Sequence, residues 1–326
     1  MIHRRGLIKL SAAAVLAPSI ARPAIAQSSW PNKPVRIIIP FTPGGGADTI
    51  ARFCAMKMSE VLGGQFIVES KQGAGGNIAA DVTARSEPDG YTMFLAGDHH
   101  ATNIFVNQSL SYHPVRDFEP VSLVVQYPVA MAIPTNSPDK TLADFIARAK
   151  ADPGKLTFGS PGHGAVPHLS AELFVRAAGI QMTHVPYKGT GPAVADVISG
   201  QITMNFSSLP PAVSQIKGGN LKALAVTGDK RVSSLPDVPT LKEQGIDVVV
   251  TSWQGLFAPA KTPPDVLDKI EKATKEGMKN PKWHEALARD GLEQPPERSR
   301  AEFTRFVKDE HTFWGKKLKE LKIEME

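Results

Sequence analysis

Apolar residues along this chain fall into two alternating patterns: compact β-branched runs, and longer stretches in which apolar positions recur every three or four residues. Val35-Arg36-Ile37-Ile38-Ile39-Pro40-Phe41 is of the first kind and predicts a buried strand. Ile50, Phe53, Cys54, Met58, Val61 and Leu62 then repeat at helical spacing over 48–62, closed by Gly63-Gly64. A strand at 66–68, a helix at 77–85 and a strand at 91–95 follow. Strands that alternate with helices predict a mainly parallel sheet covered on both faces, an α/β fold.

The alternation continues. Residues 121–133 read as an extended segment of two strands, and 142–149 as a helix. The spacing then predicts strands at 156–158, 183–187, 202–206 and 221–227, separated by helices at about 167–178, 191–199 and 210–217. After an extended stretch at 248–259, helices dominate at roughly 263–279, 281–289 and 299–320. No fixed-period repeat is present.

The first 26 residues stand outside this pattern. Arg4 and Arg5 lead into an Ala-rich apolar run from Leu10 to Ala21, and Ala24-Ile25-Ala26 has the small-x-small form of a cleavage site. The run is too short for a membrane span and is broken by Pro18. It reads as an export signal, and His3-Arg4-Arg5-Gly6-Leu7-Ile8-Lys9 approximates the twin-arginine type. No later stretch reaches the roughly 18–20 apolar residues of a transmembrane helix. The expected product is soluble in the periplasm.

Setting the signal aside changes the charge picture. It holds four basic residues and no acid, so 37 basic against 32 acidic residues become 33 against 32. The sequence pI of about 9.2 is thus largely a property of the leader, and no basic surface for nucleic acid is expected. The remaining 300 residues favour about two domains, at roughly 100–200 residues each. The single cysteine, Cys54, excludes an internal disulfide and sits in an apolar helical pattern as an inert thiol.

Three glycine-rich segments join predicted strands to predicted helices: Thr42-Pro43-Gly44-Gly45-Gly46-Ala47-Asp48, Gly73-Ala74-Gly75-Gly76-Asn77 and Gly159-Ser160-Pro161-Gly162-His163-Gly164. Such loops gather at the carboxyl ends of parallel strands, where free helix N–H groups make a socket for an anion. The plainer alternative is that they are tight turns. Dinucleotide spacing fails, because the third glycine is replaced by Thr49 in the first loop and Ile78 in the second, and no loop carries the Lys-Ser/Thr of a P-loop. Asp48 opens a predicted helix, and capping of the N–H groups near Ile50 and Ala51 is its first expected role, with ligand contact compatible. No G-x-S-x-G elbow and no H-E-x-x-H occurs. The nine histidines include the pairs His99-His100 and His163 with His168, but no neighbouring Cys or acid completes a metal site, so neither catalytic residues, metal nor cofactor are expected.

At this point the motifs carry a resemblance. The first loop, read as strand then Pro-Phe-Thr-Pro-Gly-Gly-Gly-Ala-Asp, resembles that of the Bug family, the extracytoplasmic receptors of tripartite tricarboxylate transporters. Gly73–Asn77, Pro88-Asp89-Gly90-Tyr91-Thr92, Gly159-Ser160 with Gly162, Gly164 and His168, Val185-Pro186-Tyr187-Lys188-Gly189, Leu224–Thr227, Leu235–Thr240 and Trp253-x-Gly255–Pro259 follow in family order along nearly the whole exported chain. The resemblance implies a two-domain periplasmic-binding-protein type II (Venus flytrap) fold, with 27–125 plus 228–326 as domain I and 126–227 as domain II. It implies a monomer that binds a small carboxylate and delivers it to membrane transporter subunits.

By the same analogy the ligand is gripped by Phe41, Pro43, Gly44, Gly45, Gly46 and Asp48 from one domain. His100 and Thr102 contribute from the loop after the third strand. Ser160, Gly162, Gly164, His168, Thr190, Gly191 and Ser207 contribute from the other. Two places depart from the family pattern. Gly97-Asp98-His99-His100-Ala101-Thr102 stands where Ser and Thr or His are usual, and Ser207-Ser208 where a carboxylate is common. Losing that charge disfavours an amino-acid ligand without choosing among dicarboxylates, tricarboxylates and aromatic acids. A sensor ectodomain that passes ligand to a signalling partner, and an enzyme on the same architecture, are the alternatives.

Overall fold

Nine strands and their amphipathic helices build two β-sheets joined through one shared strand in the computed structural model, which describes residues 30–41, 43, 46–106, 110–187, 189–292 and 294–321. The leader at 1–26, Gly44, Gly45 and Lys188 lie outside the described residues. The strands are β1 Val35–Ile39, β2 Phe66–Ser70, β3 Thr92–Gly97, β4 Phe118–Pro134, β5 Thr157–Ser160, β6 Thr183–Pro186, β7 Met204–Ser208, β8 Leu221–Val226 and β9 Thr251–Pro259. The helices are α1 Gly46–Leu62, α2 Asn77–Ala84, α3 Asp98–Val106, α4 Leu142–Ala151, α5 Val166–Ala178, α6 Thr190–Ser199, α7 Leu209–Lys217, α8 Pro264–Met278, α9 Pro281–Arg289 and α10 Arg300–Leu321.

Strand order is β2-β1-β3-β9-β4-β7-β5-β6, with β8 also on β4. Pairing is parallel within β2-β1-β3 and within β6-β5-β7, and antiparallel wherever β4 or β9 takes part. The seventeen-residue β4 belongs to two sheets at once. Its first part pairs with β9 from Phe118↔Pro259 to Pro128↔Thr251, and its last part pairs with β7 and β8 from Val129↔Ser208 onward. The sequence pattern predicts two strands over 121–133; the chain makes one. Pro128 looks like a break, yet it falls where the ladder changes partners, a place that tolerates a residue without an N–H.

Each sheet is covered on both faces. Ile37, Ile39, Met93, Val124 and Leu256 pack against Ile50, Cys54 and Met58 of α1 and Ile270 of α8. Ile38, Phe94 and Phe257 face Ala80 of α2 and Phe303 of α10. In the second sheet Met131, Phe158 and Phe206 pack on Phe145 and Phe174, while Ala132 meets Val194 and Val197 of α6. Helix α10 belongs to both lobes, with Phe303 and Val307 in one core and Trp314 and Leu318 in the other. A Cβ at Gly255 would overlap the Phe303 ring, so glycine there admits the helix.

Helix α3 is absent from the sequence pattern, because His99, His100, Thr102 and Asn103 are indifferent helix formers with no clean apolar stripe. Tertiary packing supplies the missing preference: Ala101 is buried against the first sheet, and the Asp98 carboxylate accepts the His99 N–H at 2.7 Å in the first turn.

The second strand crossing is pinned by one side chain. Buried Thr227 donates its hydroxyl to Val250 O (2.6 Å) and accepts from Val129 N (3.1 Å). Its own N–H binds Val129 O, and its carbonyl accepts from Val250 N. Three chain segments that pass between the lobes are thus stitched at one level. Replacing Thr227 by Val keeps the shape but leaves the Val129 N–H without its acceptor, which should cost about 1–3 kcal/mol. A lower urea midpoint at unchanged slope is the expected outcome; an unchanged midpoint would show that the stitch contributes nothing.

Candidate functional site

Six strands hand over directly to helices: β1, β2 and β3 to α1, α2 and α3 in the first lobe, and β5, β6 and β7 to α5, α6 and α7 in the second. In a parallel arrangement all six transitions lie at the carboxyl edges, the usual place for a ligand. Helices α2, α5, α6 and α7 begin without a side-chain cap. Their first N–H groups, with about half a positive charge per helix start, are therefore not neutralised by the protein's own Ser, Thr or Asp. Prolines in the first turns of α5 and α7 remove donors there. Helix α6 keeps the N–H groups of Thr190 and Gly191 ahead of Pro192, after Gly189 at φ 129°, a backbone setting that favours glycine.

The two edges meet. Thr102 on α3 directs its hydroxyl to the Gly164 carbonyl of the β5–α5 loop (3.2 Å), sharing it with the His99 carbonyl of its own helix (3.2 Å). The Gly164 N–H in turn donates to His168 Nδ1 (3.2 Å). Ser160, fully buried, lies 2.7 Å from His184 Nε2 and holds the loop by accepting from the Gly162 N–H (3.2 Å). Gly162 and Gly164 both adopt positive φ (132° and 75°), so this loop takes a path that side-chain-bearing residues rarely follow.

The structure distributes the sequence-derived site residues unevenly. Thr102, Gly164 and His168 form one hydrogen-bonded chain, and Ser160 and Gly162 a second on the same loop. Thr190 and Gly191 start α6, with open space around Gly191. Ser207 is buried on β7, its hydroxyl donating to the Ser208 carbonyl (3.1 Å). Phe41 is 44% exposed, with its ring 5.1 Å from that of His99, and Pro43 is exposed. Gly46 is the first residue of α1.

Two expectations change. Asp48 is the third residue of α1 rather than its cap, because the helix starts at Gly46, and its carboxylate takes the Arg52 guanidinium at 2.8 Å. His100 turns into the core rather than toward the ligand edge. Its ring lies among Phe94, Tyr112, Phe118 and Phe257, Nε2 is 3.0 Å from Pro114 O, and burial pushes its pKa down to about 3. Its neighbour His99 faces the Phe41 side instead, as successive helix residues must point in different directions.

Several polar groups at these edges lay beyond sequence reasoning. His99 Nε2, Gln254 Oε1 and both amide atoms of Asn205 are buried with no hydrogen-bond partner among the described residues. His99 and Gln254 flank Gly97 at the end of β3, and Asn205 sits two residues before Ser207 on the same face of β7. Nearby, Asp98 is buried; desolvation pushes its pKa up to about 6 against the pull of hydrogen bonds from Ser252 and the His99 and Trp253 backbone. Burial likewise pushes His99 down to about 4 and His168 to about 3. Only pairing across the sheets brings these residues together. The paired histidines at 99–100 and 163–168 were the visible clue.

Comparison with known proteins gives a consistent answer. The sequence profile of the tripartite tricarboxylate transporter family receptor matches residues 50–323. A protein encoded in the ttuE–ttuC′ intergenic region of Agrobacterium vitis is 38% identical over 276 residues, 84% of this chain and 79% of that one. BugT of Bordetella pertussis is 32% identical over 302 residues, 91% of each. Among solved structures, the periplasmic binding protein BugD superposes with TM-score 0.83 at 33% identity, over 91% of this chain and 100% of that one. A Rhodopseudomonas palustris protein, MatC, solved with bound malate, gives 0.81 at 30% over 89% and 100%. An R. palustris protein solved with adipate gives 0.85 at 32% over 91% and 100%.

The buried histidines make stability depend on pH. Histidines whose folded pKa lies far below the unfolded 6.5 stay neutral in the fold while the unfolded chain binds protons, so stability present above pH 6.5 is lost as pH falls toward 4. Asp98, raised toward 6, acts oppositely, as do Glu172 and Glu310, which burial also raises. Each such histidine contributes a slope of up to about 1.4 kcal/mol per pH unit. A urea midpoint that drops between pH 6.5 and 5 is expected, with a shallower drop in His100→Phe. Equal slopes in the two proteins would show that His100 is not held neutral.

Proposed function

The chain belongs to the tripartite tricarboxylate transporter receptor family, and from that premise we propose that it captures a small carboxylate between its lobes and delivers it to membrane transporter subunits. The observation that carries the reading is the meeting of two carboxyl edges, joined at Thr102 and Gly164, around helix starts without side-chain caps. Backbone N–H groups at such starts suit a carboxylate, and they give oriented donors without a permanent protein cation. The orphaned polar atoms of His99, Gln254 and Asn205 are further hydrogen-bonding groups for a ligand that enters from solvent. MatC and its R. palustris relative, solved with malate and adipate, point to the same ligand class.

The proposed lobes are 27–125 with 228–326, and 126–227. They hinge where β4 changes partners and where Thr227 lies between Val129 and Val250. A ligand held by the β1–α1 loop and His99 on one side, and by the Gly162 loop and the start of α6 on the other, binds the closed form better and shifts the population toward it. The closed surface is what a membrane partner would read. We place the receptor in the periplasm after removal of the 1–26 leader; among the described residues no helix is long and apolar enough to cross a membrane.

Binding without turnover is part of the proposal. Ser160 and His184 lie 2.7 Å apart, the distance of a nucleophile and its base. Ser160 is fully buried, however, and its hydroxyl is already engaged with the N–H and carbonyl of Gly162.

Thermal shift with adipate, malate and their dimethyl esters tests the ligand class. At one hundred times its Kd the bound acid should stabilise the fold by about 2.7 kcal/mol, and the esters should not. Stabilisation by the esters equal to that by the acids would remove the anion argument. Small-angle scattering at saturation should show a smaller radius of gyration; an unchanged radius at proven saturation would defeat closure.

A further inference from the structure

Three histidines distant in sequence meet at one side of the second lobe's loop. His163 comes from the β5–α5 loop, His168 from the first turn of α5 and His184 from the edge strand β6. Their ring centroids lie 5.4 Å (163–168), 4.9 Å (163–184) and 4.2 Å (168–184) apart. One nitrogen of each ring lies within 4.8 Å of one nitrogen of the others. His163 Nδ1 is buried with no hydrogen-bond partner among the described residues. We propose that His163, His168 and His184 bind one divalent transition-metal ion of the Zn²⁺, Co²⁺, Ni²⁺ or Cu²⁺ group.

Three neutral imidazoles are the donor set those ions prefer, whereas Mg²⁺ and Ca²⁺ want oxygen. Tetrahedral coordination at 2.0–2.1 Å brings ligand nitrogens to about 3.4 Å from one another, so the nitrogens, now within 4.8 Å, close by up to about 1.4 Å. His163 sits between Gly162 and Gly164, both at positive φ, on a loop segment that can supply that movement. Outer partners for the rings are already in place. His184 Nε2 lies 2.7 Å from Ser160 Oγ, and His168 Nε2 lies 3.7 Å from Glu172 Oε1. Coordination through Nδ1 keeps the His184–Ser160 contact as an orienting hydrogen bond of the kind ligating imidazoles normally make, and leaves Glu172 within ion-pair range of His168. The cost is the 3.2 Å bond from the Gly164 N–H to His168 Nδ1. That amide is one link from the Thr102 contact between the lobes, so ion binding also touches the lobe interface.

Packing alone gives a competing account, since Phe158 stacks on both His168 and His184. Packing does not explain a buried, unpartnered nitrogen on His163. Burial and mutual proximity hold His168 at about 3 and His184 at about 4, so both are in the neutral form that metals need at neutral pH.

Titration of the untagged, chelator-washed protein with Zn²⁺ by calorimetry, and with Co²⁺ by visible absorption, tests this without any carboxylate present. One equivalent per chain is expected, with the Co²⁺ spectrum of imidazole ligation. His163→Ala and His184→Asn, each checked by circular dichroism, should weaken binding by at least about tenfold. The exposed His284→Ala should leave it unchanged. Absence of stoichiometric binding in the wild type, or equal binding in the loop variants, overturns the site. The carboxylate reading is judged separately, by the thermal shifts in metal-free protein.

Discussion

One strand serves two sheets, and the molecule is organised by that sharing. The amides and carbonyls of β4 satisfy β9 along the first part and β7 and β8 along the last, so neither lobe has its backbone ladder complete without this segment. Buried backbone groups left unpaired are costly, which ties the two lobes to a common axis. Thr227 fixes the same level on the return crossing by bridging Val129 and Val250. Helix α10 adds a second link through Phe303 in one core and Trp314 in the other.

That axis sets what the cleft can be. With the lobes held side by side, the carboxyl edges of β1, β2 and β3 face those of β5, β6 and β7, and helix starts from both lobes bring their dipoles to one region. The Thr102–Gly164 bond is where the two edges touch. A binding region made from helix starts and amide or hydroxyl side chains favours anions in general. In the proposed reading, selection within the class falls to side chains such as His99, Gln254 and Asn205, whose buried polar atoms have no partner among the described residues.

The histidines divide by environment, not by type. His100 is closed in by four aromatic rings and serves the core, while its neighbour His99 reaches the Phe41 side. His163, His168 and His184 cluster beside the lobe contact, where Ser160 and Glu172 lie against their outer nitrogens. One residue type thus packs a core at His100, sits at a strand edge beside Phe41 at His99, and gathers in a cluster at His163, His168 and His184, according to which backbone segment carries it.

The alternation of short β-branched runs with helical stripes was enough to establish the α/β class, and most elements began and ended within a few residues of where the pattern put them. The reason is local: strand and helix periodicities are properties of ten or fifteen consecutive residues. Glycine loops between strand and helix were legible for the same reason, and the motif residues Ser160, Gly162, Gly164 and His168 do fall on one loop and the helix start that follows it. The pattern misread places where long-range packing overrides local preference. Pro128 did not end β4, because the ladder changes partner there, and α3 formed from indifferent residues because the first sheet needed cover. His100 was assigned from its position after the third strand, yet a one-residue step around a helix turns a side chain by about 100°, and this one points into the core. Sequence separation also hid the meeting of His184 with His163 and His168, and the placement of both Gln254 and His99 beside Gly97. These groups meet only when strands far apart in the chain lie side by side, and no local pattern records which strands will do so.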